Sequence, residues 1–428
     1  MTIDEALKEA TDRFVAARPK TAALQERAKA VMPGGNTRTV LFTQPFPIRV
    51  EHGEGARITD VDGHDYVNFV GEYSAGLYGH SHPVIAAAVA QAMQDGINFG
   101  AHHKVEVEFA EAVAARFKLE RLRFTNSGTE ANLMALAAAR NFTGRSKVMA
   151  MRGAYHGGTL YFINGTSPVN APFDVALGRF NDVEATRQVL KEQGTGLAAI
   201  LVEPMLGSGG CIPADVVFLR MLREESAARG IVLIFDEVMT SRLGRHGLAD
   251  ELGIKPDLTT LGKYIGGGMS FGCFGGRADI IDQFDPTKPG FLPHAGTFNN
   301  NALTMAAGLA GITKIYTSDE VAAHCAKGEK LKAALNKLFQ DYQAGWQVTG
   351  IGSLLNFHPV AGPIARAEHA QTADIRWRRL LFLHLLEQGV YIAERGYIAL
   401  SLMLTDRDYE KLKDAVEQFL IRYRAVIG

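Results

Sequence analysis

The sequence predicts an α/β protein whose main body is a mostly parallel sheet sandwiched between helices. From about residue 84, helical runs (VIAAAVAQAM, VEVEFAEAVAARF) alternate with short apolar runs (LRFTN, KVMAM, LAAILVEP, GIVLIFDE, DLTTLG, FGCFGG). Those short runs are apolar at successive positions, so both faces of each strand need covering, as in a parallel sheet layered by helices. The length is the third observation: 428 residues, 47% hydrophobic and 21% charged, suffice for two or three domains and a large core.

The first thirty residues read as amphipathic helix ending near Met32-Pro33-Gly34-Gly35. From Arg38 to Phe69 short apolar stretches alternate with turn signals, and Asp62-Gly63 between two of them marks a hairpin. The last hundred-odd residues begin with long helix (ALTMAAGLAGITKIY). They continue as α+β through WQVTGIGSLLNFHPV, a helix around RRLLFLHLLEQG, then VYIA, IALSLML and a final helix. The expected division is an N-terminal segment at 1–69 contributing to a small domain, a large α/β domain at 70–305, and the rest of the small α+β domain at 306–428.

Composition excludes several functions. Forty-five Lys+Arg against 46 Asp+Glu leave a net charge of −1 with no basic run, which argues against nucleic-acid binding. Cys211, Cys273 and Cys325 lie 62 and 52 residues apart, so no zinc spacing exists, and a sparse odd count fits a reducing compartment. His102-His103 is a poor metal pair, because adjacent side chains point apart and no third ligand is suggested. The N-terminus has no signal-peptide core, and no apolar run approaches the roughly 18 residues of a membrane span. The expectation is a cytoplasmic enzyme with no metal, membrane or nucleic-acid partner.

Four elements carry chemistry. In TTLGKYIGGG, Lys263 follows an apolar strand and precedes a glycine-rich turn. A lone lysine is ordinarily a solvated one. Desolvated, its amine loses basicity and becomes a nucleophile for aldehydes. In IVLIFDEVMTS, Asp236 and Glu237 close an apolar strand at the end where ligands of open α/β sheets bind. A buried carboxylate there needs a cationic partner, which a protonated pyridine nitrogen would supply. In RFTNSGTEAN, Ser127, Gly128 and Thr129 start a strong helix whose free amides suit an anion, although simple capping explains them equally well. Tyr155, in YHGG, could stack on a planar ring or be structural.

Together these form a pyridoxal-phosphate kit of amine, acid, phosphate cup and stacking ring. Over essentially its whole length the chain resembles the class III aminotransferases of fold type I, through NSGTEAN, GAYHGG, LVEP, FDEVMTS, TTLGKYIGGG and HAGTFNNN. The resemblance implies pyridoxal 5'-phosphate as cofactor and Lys263 as the lysine that carries it. It implies that Asp236 pairs with the ring nitrogen, Val238 packs under the ring and Tyr155 stacks on the other face. Ser127, Gly128 and Thr129 would hold the phosphate, and Glu203 would lie near Asp236 on the ring-hydroxyl side. Thr297 would reach the phosphate of a neighbouring subunit, which makes a homodimer the functional unit.

Within the family, PGGNTRTVLF and DEVMTS look like the branch of glutamate-1-semialdehyde aminomutases and β-amino-acid aminotransferases. The NTR-x-VLF, ERGY and GGGMSFG segments are most similar to β-phenylalanine aminotransferases. That likeness implies Arg38 and Arg395 as substrate-carboxylate ligands; by spacing alone each is an ordinary charge. Two separated guanidinium groups would let one pocket bind a β-amino acid and then a 2-oxo acid, 2-oxoglutarate or pyruvate, in a ping-pong cycle. Intramolecular amino transfer by an aminomutase, or an ω-amine transaminase, are the alternatives. Phe42, Tyr73, Tyr78 and Phe298 could line an apolar pocket or belong to the core. Gly266, Gly267 and Gly268 read as conformational, and Cys211 and Cys273 as core fillers.

Overall fold

The N-terminal thirty residues form two helices, Ile3–Ala16 and Pro19–Lys29, rather than one. Proline accounts for the break. Pro19 lacks the N–H that would continue the first helix and drives Arg18 out of the helical region (φ −131°, ψ 55°). At the first position of the second helix its missing donor has no consequence. Thr2 and Glu5 cap the first helix reciprocally, and Ala6, Ala10 and Phe14 bury one stripe of it against the helix Ile375–Glu387. The Asp62 carboxylate caps the second helix by accepting from the amides of Lys20 (2.8 Å) and Thr21 (3.0 Å). The computed structural model describes residues 1–427.

Strands β1 (Val50–Glu54), β2 (Arg57–Asp60) and β3 (Asp65–Asn68) form an antiparallel meander, with Asp62-Gly63 in the β2–β3 turn as the sequence signals. The large sheet is built from β4 (Arg121–Thr125), β5 (Lys147–Arg152), β6 (Val175–Arg179) and β7 (Leu197–Val202). A short ribbon of β8 (Met205–Leu206) and β9 (Ile212–Pro213) follows. The sheet is completed by β10 (Val232–Asp236), β11 (Leu258–Gly262) and β12 (Gly272–Gly276), in the order β4-β12-β11-β10-β7-β5-β6. Only β12 runs antiparallel to its neighbours. Every residue of β7, β10 and β11 is buried, the condition their unbroken apolar runs required.

The C-terminal part adds β13 (Gln347–Ile351), β14 (Leu354–His358), β15 (Val390–Tyr391) and β16 (Tyr397–Ala399). Strands β13, β14 and β16 make an antiparallel sheet, whereas β15 pairs in parallel with β3, so the two ends of the chain share one sheet. Their common core joins Phe14 and Tyr66 with Phe357, Leu385 and Phe419. The helix Ala302–Ala310 packs on the helices Pro83–Asp95 and Lys104–Phe117, so it continues the large body past residue 305.

This topology gathers the chemical residues on one edge. The carboxyl ends of β4, β5, β7, β10 and β11 lie on the same side of the sheet. Ser127, Tyr155, Glu203, Asp236 and Lys263 each lie at the end of one of those strands or within three residues beyond it.

Candidate active site

Asp236 ends β10 with a side chain only 5% exposed, yet both of its oxygens are satisfied. Oδ2 accepts from Asn132 Nδ2 and His156 Nδ1, each at 2.8 Å, and Oδ1 accepts from the Val238 amide at 3.0 Å. An ionised carboxylate can only accept, so the His156 proton sits on Nδ1. The Thr260 hydroxyl donates to Asn132 Oδ1 (2.7 Å), which fixes the amide with its NH₂ toward Asp236. His156 Nε2 is buried without a partner. Glu203 lies beyond β7, accepting from the amides of Tyr155 (3.0 Å) and Gly207 (2.9 Å). Burial pushes its carboxyl up to about 7; His156 opposes the shift and the charge on Asp236 adds to it.

Lys263 directly follows β11 with φ +56°, a left-handed conformation that non-glycine residues seldom adopt and that clusters at functional sites. Its Nζ donates to the carbonyl of Tyr73. Burial, joined by the charge of Arg395, lowers the amine to about 8 against the opposing pull of Asp236 and Glu203. The accepting carbonyl lies in a rarer feature. Gly71, Glu72, Tyr73 and Ser74 have φ of +50°, +48°, +55° and +78°, a left-handed turn containing three consecutive non-glycine residues. Each such residue costs roughly 1–2 kcal/mol, so the surrounding structure must hold the turn in place.

The helix Gly128–Thr143 begins at the mouth of this recess, with Ser127 as its cap (Oγ accepts from Glu130 N, 3.2 Å). The amides of Gly128 and Thr129 belong to the first turn and have no intrahelical acceptor. A Cβ on Gly128 would lie 2.8 Å from Val238 Cγ2, and one on Gly157 (φ +122°) would lie 2.2 Å from Thr129 Oγ1. The cup therefore tolerates no side chain at either position. Tyr155 is 36% exposed, edge-on to Tyr161 at 5.8 Å, and its hydroxyl is raised by burial against the charges of Arg395 and Arg38.

Arg38, exposed, and Arg395, half-buried, come from opposite ends of the chain and meet at Tyr73. Arg395 Cζ is 5.0 Å from the Tyr73 ring centroid and 5.4 Å from that of Tyr397; Arg38 Cζ is 5.9 Å from Tyr73. Among the described residues neither guanidinium has an ion pair or a hydrogen bond. Thr297 is exposed in the segment before the helix Ala302–Ala310 and makes no hydrogen bond among the described residues.

The remaining candidates separate by burial. Tyr78 is in the core, Phe298 is exposed, and Tyr73 alone of the four aromatics touches the arginines. Glu237 turns away from Asp236, accepting from the amides of Leu248 and Ala249 and the Thr240 hydroxyl. His103 caps the helix Lys104–Phe117 while His102 is exposed, and Cys211 and Cys273 are fully buried. Gly267 (φ +64°) faces the Ala307 backbone, where a Cβ would lie 2.5 Å away.

Sequence reasoning missed Asn132 and His156 as partners of Asp236. A local signal existed for Asn132: it lies four residues after Gly128, one turn along the same helix face, among buried alanines. The whole set fits a planar phosphorylated pyridine aldehyde. A weakly basic amine, an acid for a ring nitrogen, an open aromatic face and side-chain-free amides for a phosphate surround one recess.

The family model for aminotransferase class-III matches residues 42–420. The chain is 50% identical over 426 residues to the β-phenylalanine transaminase of Variovorax paradoxus, covering 99% of this chain and 98% of that one. The crystal structure of a β-phenylalanine aminotransferase from that organism superposes with a TM-score of 0.98 at 50% identity, over 100% of this chain and 99% of the other. An ω-transaminase structure from Sphaerobacter thermophilus gives 0.91 at 35% identity, over 96% and 99%. Matches of this extent join the geometry of Lys263 and Asp236 to a fold type I α/β architecture: the chain belongs to the class-III aminotransferases, a pyridoxal-phosphate-dependent family.

Proposed function

We propose that this protein is a pyridoxal 5'-phosphate-dependent transaminase that takes the amino group of a β-amino acid such as β-phenylalanine and passes it to 2-oxoglutarate or pyruvate. The observation that carries the reading is the pair of partnerless guanidinium groups, Arg38 and Arg395, beside the Lys263–Asp236 recess. A charge left without a counter-ion next to a reactive amine is a site for a substrate carboxylate. A β-amino acid places its carboxylate one carbon further from the amine than an α-amino acid does, and 2-oxoglutarate carries a second carboxylate remote from its carbonyl. Two cations from two segments can serve both in turn.

When bound, the cofactor supplies the electron sink for the carbanion formed at the substrate carbon. The residues supply the rest. Lys263, lowered to about 8, keeps a far larger neutral fraction near neutral pH than an ordinary lysine; it would hold the cofactor aldehyde and move the proton at the substrate carbon. Asp236, clamped by Asn132, His156 and the Val238 amide, holds the ring nitrogen protonated. Ser127, Gly128 and Thr129 would hold the phosphate, Val238 and Tyr155 would pack against the ring, and Glu203 would stand near its hydroxyl.

Thr297, exposed and without an internal hydrogen bond, suits a contact across a homodimer to the partner's phosphate. The same reading divides the chain at 1–69, 70–305 and 306–428, with the second boundary moved past the helix Ala302–Ala310 that packs on the large body. It places the enzyme in the cytoplasm without nucleic-acid or membrane partners; no helix among the described residues is long and apolar enough to cross a membrane.

The test is an amino-donor panel run with 2-oxoglutarate, with pyruvate and without acceptor. The reading expects β-amino acids to react only when a 2-oxo acid is present. Turnover without acceptor would indicate an aminomutase, and preference for amines lacking a carboxylate an ω-amine transaminase.

A further inference from the structure

Tyr73 touches both arginines and the lysine at once. Its carbonyl accepts from Lys263 Nζ, its hydroxyl donates to the Val40 carbonyl at 3.0 Å, and its ring lies beside both guanidinium groups. It stacks on Tyr397 at 5.5 Å and 13°, and Tyr397 is wholly buried in β16. The left-handed turn that presents it is held from below as well: Arg242, fully buried, donates to the Ser74 carbonyl (3.4 Å), to Ser353 Oγ (3.0 Å) and to the Leu400 carbonyl. The strained backbone is thus tied to strand β16 and to the lysine.

We infer that Tyr73 is the positioning residue for both carboxylate-binding arginines, its ring face holding the two guanidinium groups and its hydroxyl tethering the Arg38 segment through Val40. This rests on the transaminase reading for its biological meaning. Two like charges near one recess repel and, having no carboxylate partner, would otherwise spread into solvent. An aromatic face attracts a guanidinium without neutralising it, so the cation is held yet keeps its donors for an incoming carboxylate. A carboxylate in the same place would hold the arginine more strongly and consume those donors. Tyr397 backs the Arg395 side of the ring, whereas the Arg38 side depends on the hydroxyl. The two halves of the function are therefore separable.

The experiment uses holoenzyme of Tyr73→Phe, Tyr73→Leu and Tyr73→Trp. Each is titrated calorimetrically with 3-phenylpropanoate, a β-amino acid without its amine, and with glutarate, a dicarboxylate without a carbonyl. Neither ligand turns over, so failure of the transaminase reading would show separately, as absence of amino transfer by the parent enzyme. Tyr73→Phe is expected to weaken 3-phenylpropanoate about three- to tenfold and leave glutarate within about twofold, because only the Arg38 tether is lost. Tyr73→Leu is expected to weaken both by about tenfold or more, and Tyr73→Trp, which keeps a ring face, to restore glutarate. The visible band of the lysine-bound cofactor and the melting midpoint should stay near those of the parent. Parent-like affinity for both ligands in Tyr73→Leu overturns the inference, as does equal weakening of both in Tyr73→Phe. If Tyr73→Leu does not fold, the Phe variant decides alone: unchanged 3-phenylpropanoate affinity refutes the tether.

Discussion

The two ends of the candidate active-site recess handle charge in opposite ways. At the end proposed for the cofactor Asp236 and Glu203 stand at the ends of wholly buried strands, and each of their oxygens accepts at least one hydrogen bond from the protein. At the end proposed for the substrate Arg38 and Arg395 have no protein counter-charge among the described residues and rest on aromatic faces. The difference follows from what each end must bind. A group that stays bound through every cycle is served by fixed, fully partnered residues, since orientation set in advance needs no reorganisation during reaction. Substrates that exchange each half-cycle need charges whose partner arrives with the ligand.

The largest effect should come from Lys263→Ala, which abolishes transamination because no second desolvated amine lies in the recess. Borohydride reduction of the parent followed by peptide mass mapping checks it: label on any other lysine contradicts the placement of the fixed end. Asp236→Asn should retain cofactor but lower kcat by about 10²–10³-fold. The amide cannot hold the ring nitrogen protonated, and its NH₂ would oppose donors from Asn132, His156 or Val238. Single-turnover absorbance separates that chemical defect from substrate binding; a wild-type kcat would mean the cofactor lies in another orientation.

The substrate end should respond more selectively. Arg395→Ala removes a half-buried cation and should cost about 2–3 kcal/mol, roughly 30- to 150-fold in kcat/KM for 2-oxoglutarate, with pyruvate changed only a few-fold. Arg38→Ala removes an exposed one, so solvent screening limits the loss to about tenfold, and it should fall on the β-amino acid. Equal losses for both acceptors in Arg395→Ala would erase the contrast between the two ends.

A last effect, on stability rather than turnover, concerns Glu237, buried next to Asp236 in the chain and raised by burial to about 7. Its folded pKa lies above the ordinary 4.5, so its contribution to stability is complete below about 4.5 and is lost as pH rises toward about 7. Glu237→Gln cannot ionise and does not share that loss. It is expected to melt lower than the parent at acid pH, because one amide then faces a backbone donor, at a cost of about 1–3 kcal/mol. The gap should narrow from pH 4.5 to 7 in paired melting curves. A gap that widened would show that Glu237 is ionised in the fold.

Local reasoning reached far along this chain where the physics is local. Unbroken apolar runs identified the buried strands, Asp62-Gly63 the turn, and TTLG the strand whose end places Lys263. The break at Pro19 lay within reach of the same physics, since a proline's missing donor acts on its own helix, yet the single helix expected there passed over it. The cofactor end was readable because its residues follow the ends of strands whose carboxyl edges a parallel sheet must align.

What the sequence by itself determined, then, is the set of strands, their common edge and the residues beyond that edge. Only the tertiary structure brought Asn132 and His156, 104 and 80 residues before Asp236, to one carboxylate oxygen. It likewise turned Glu72, Tyr73 and Ser74 left-handed beneath the arginines of both chain ends. A hydrogen bond between distant segments depends on register across the sheet, and a strained turn persists only when packing from several elements holds it. Neither condition is written in any short stretch of residues, because each is a property of contacts that exist only once the sheet has formed.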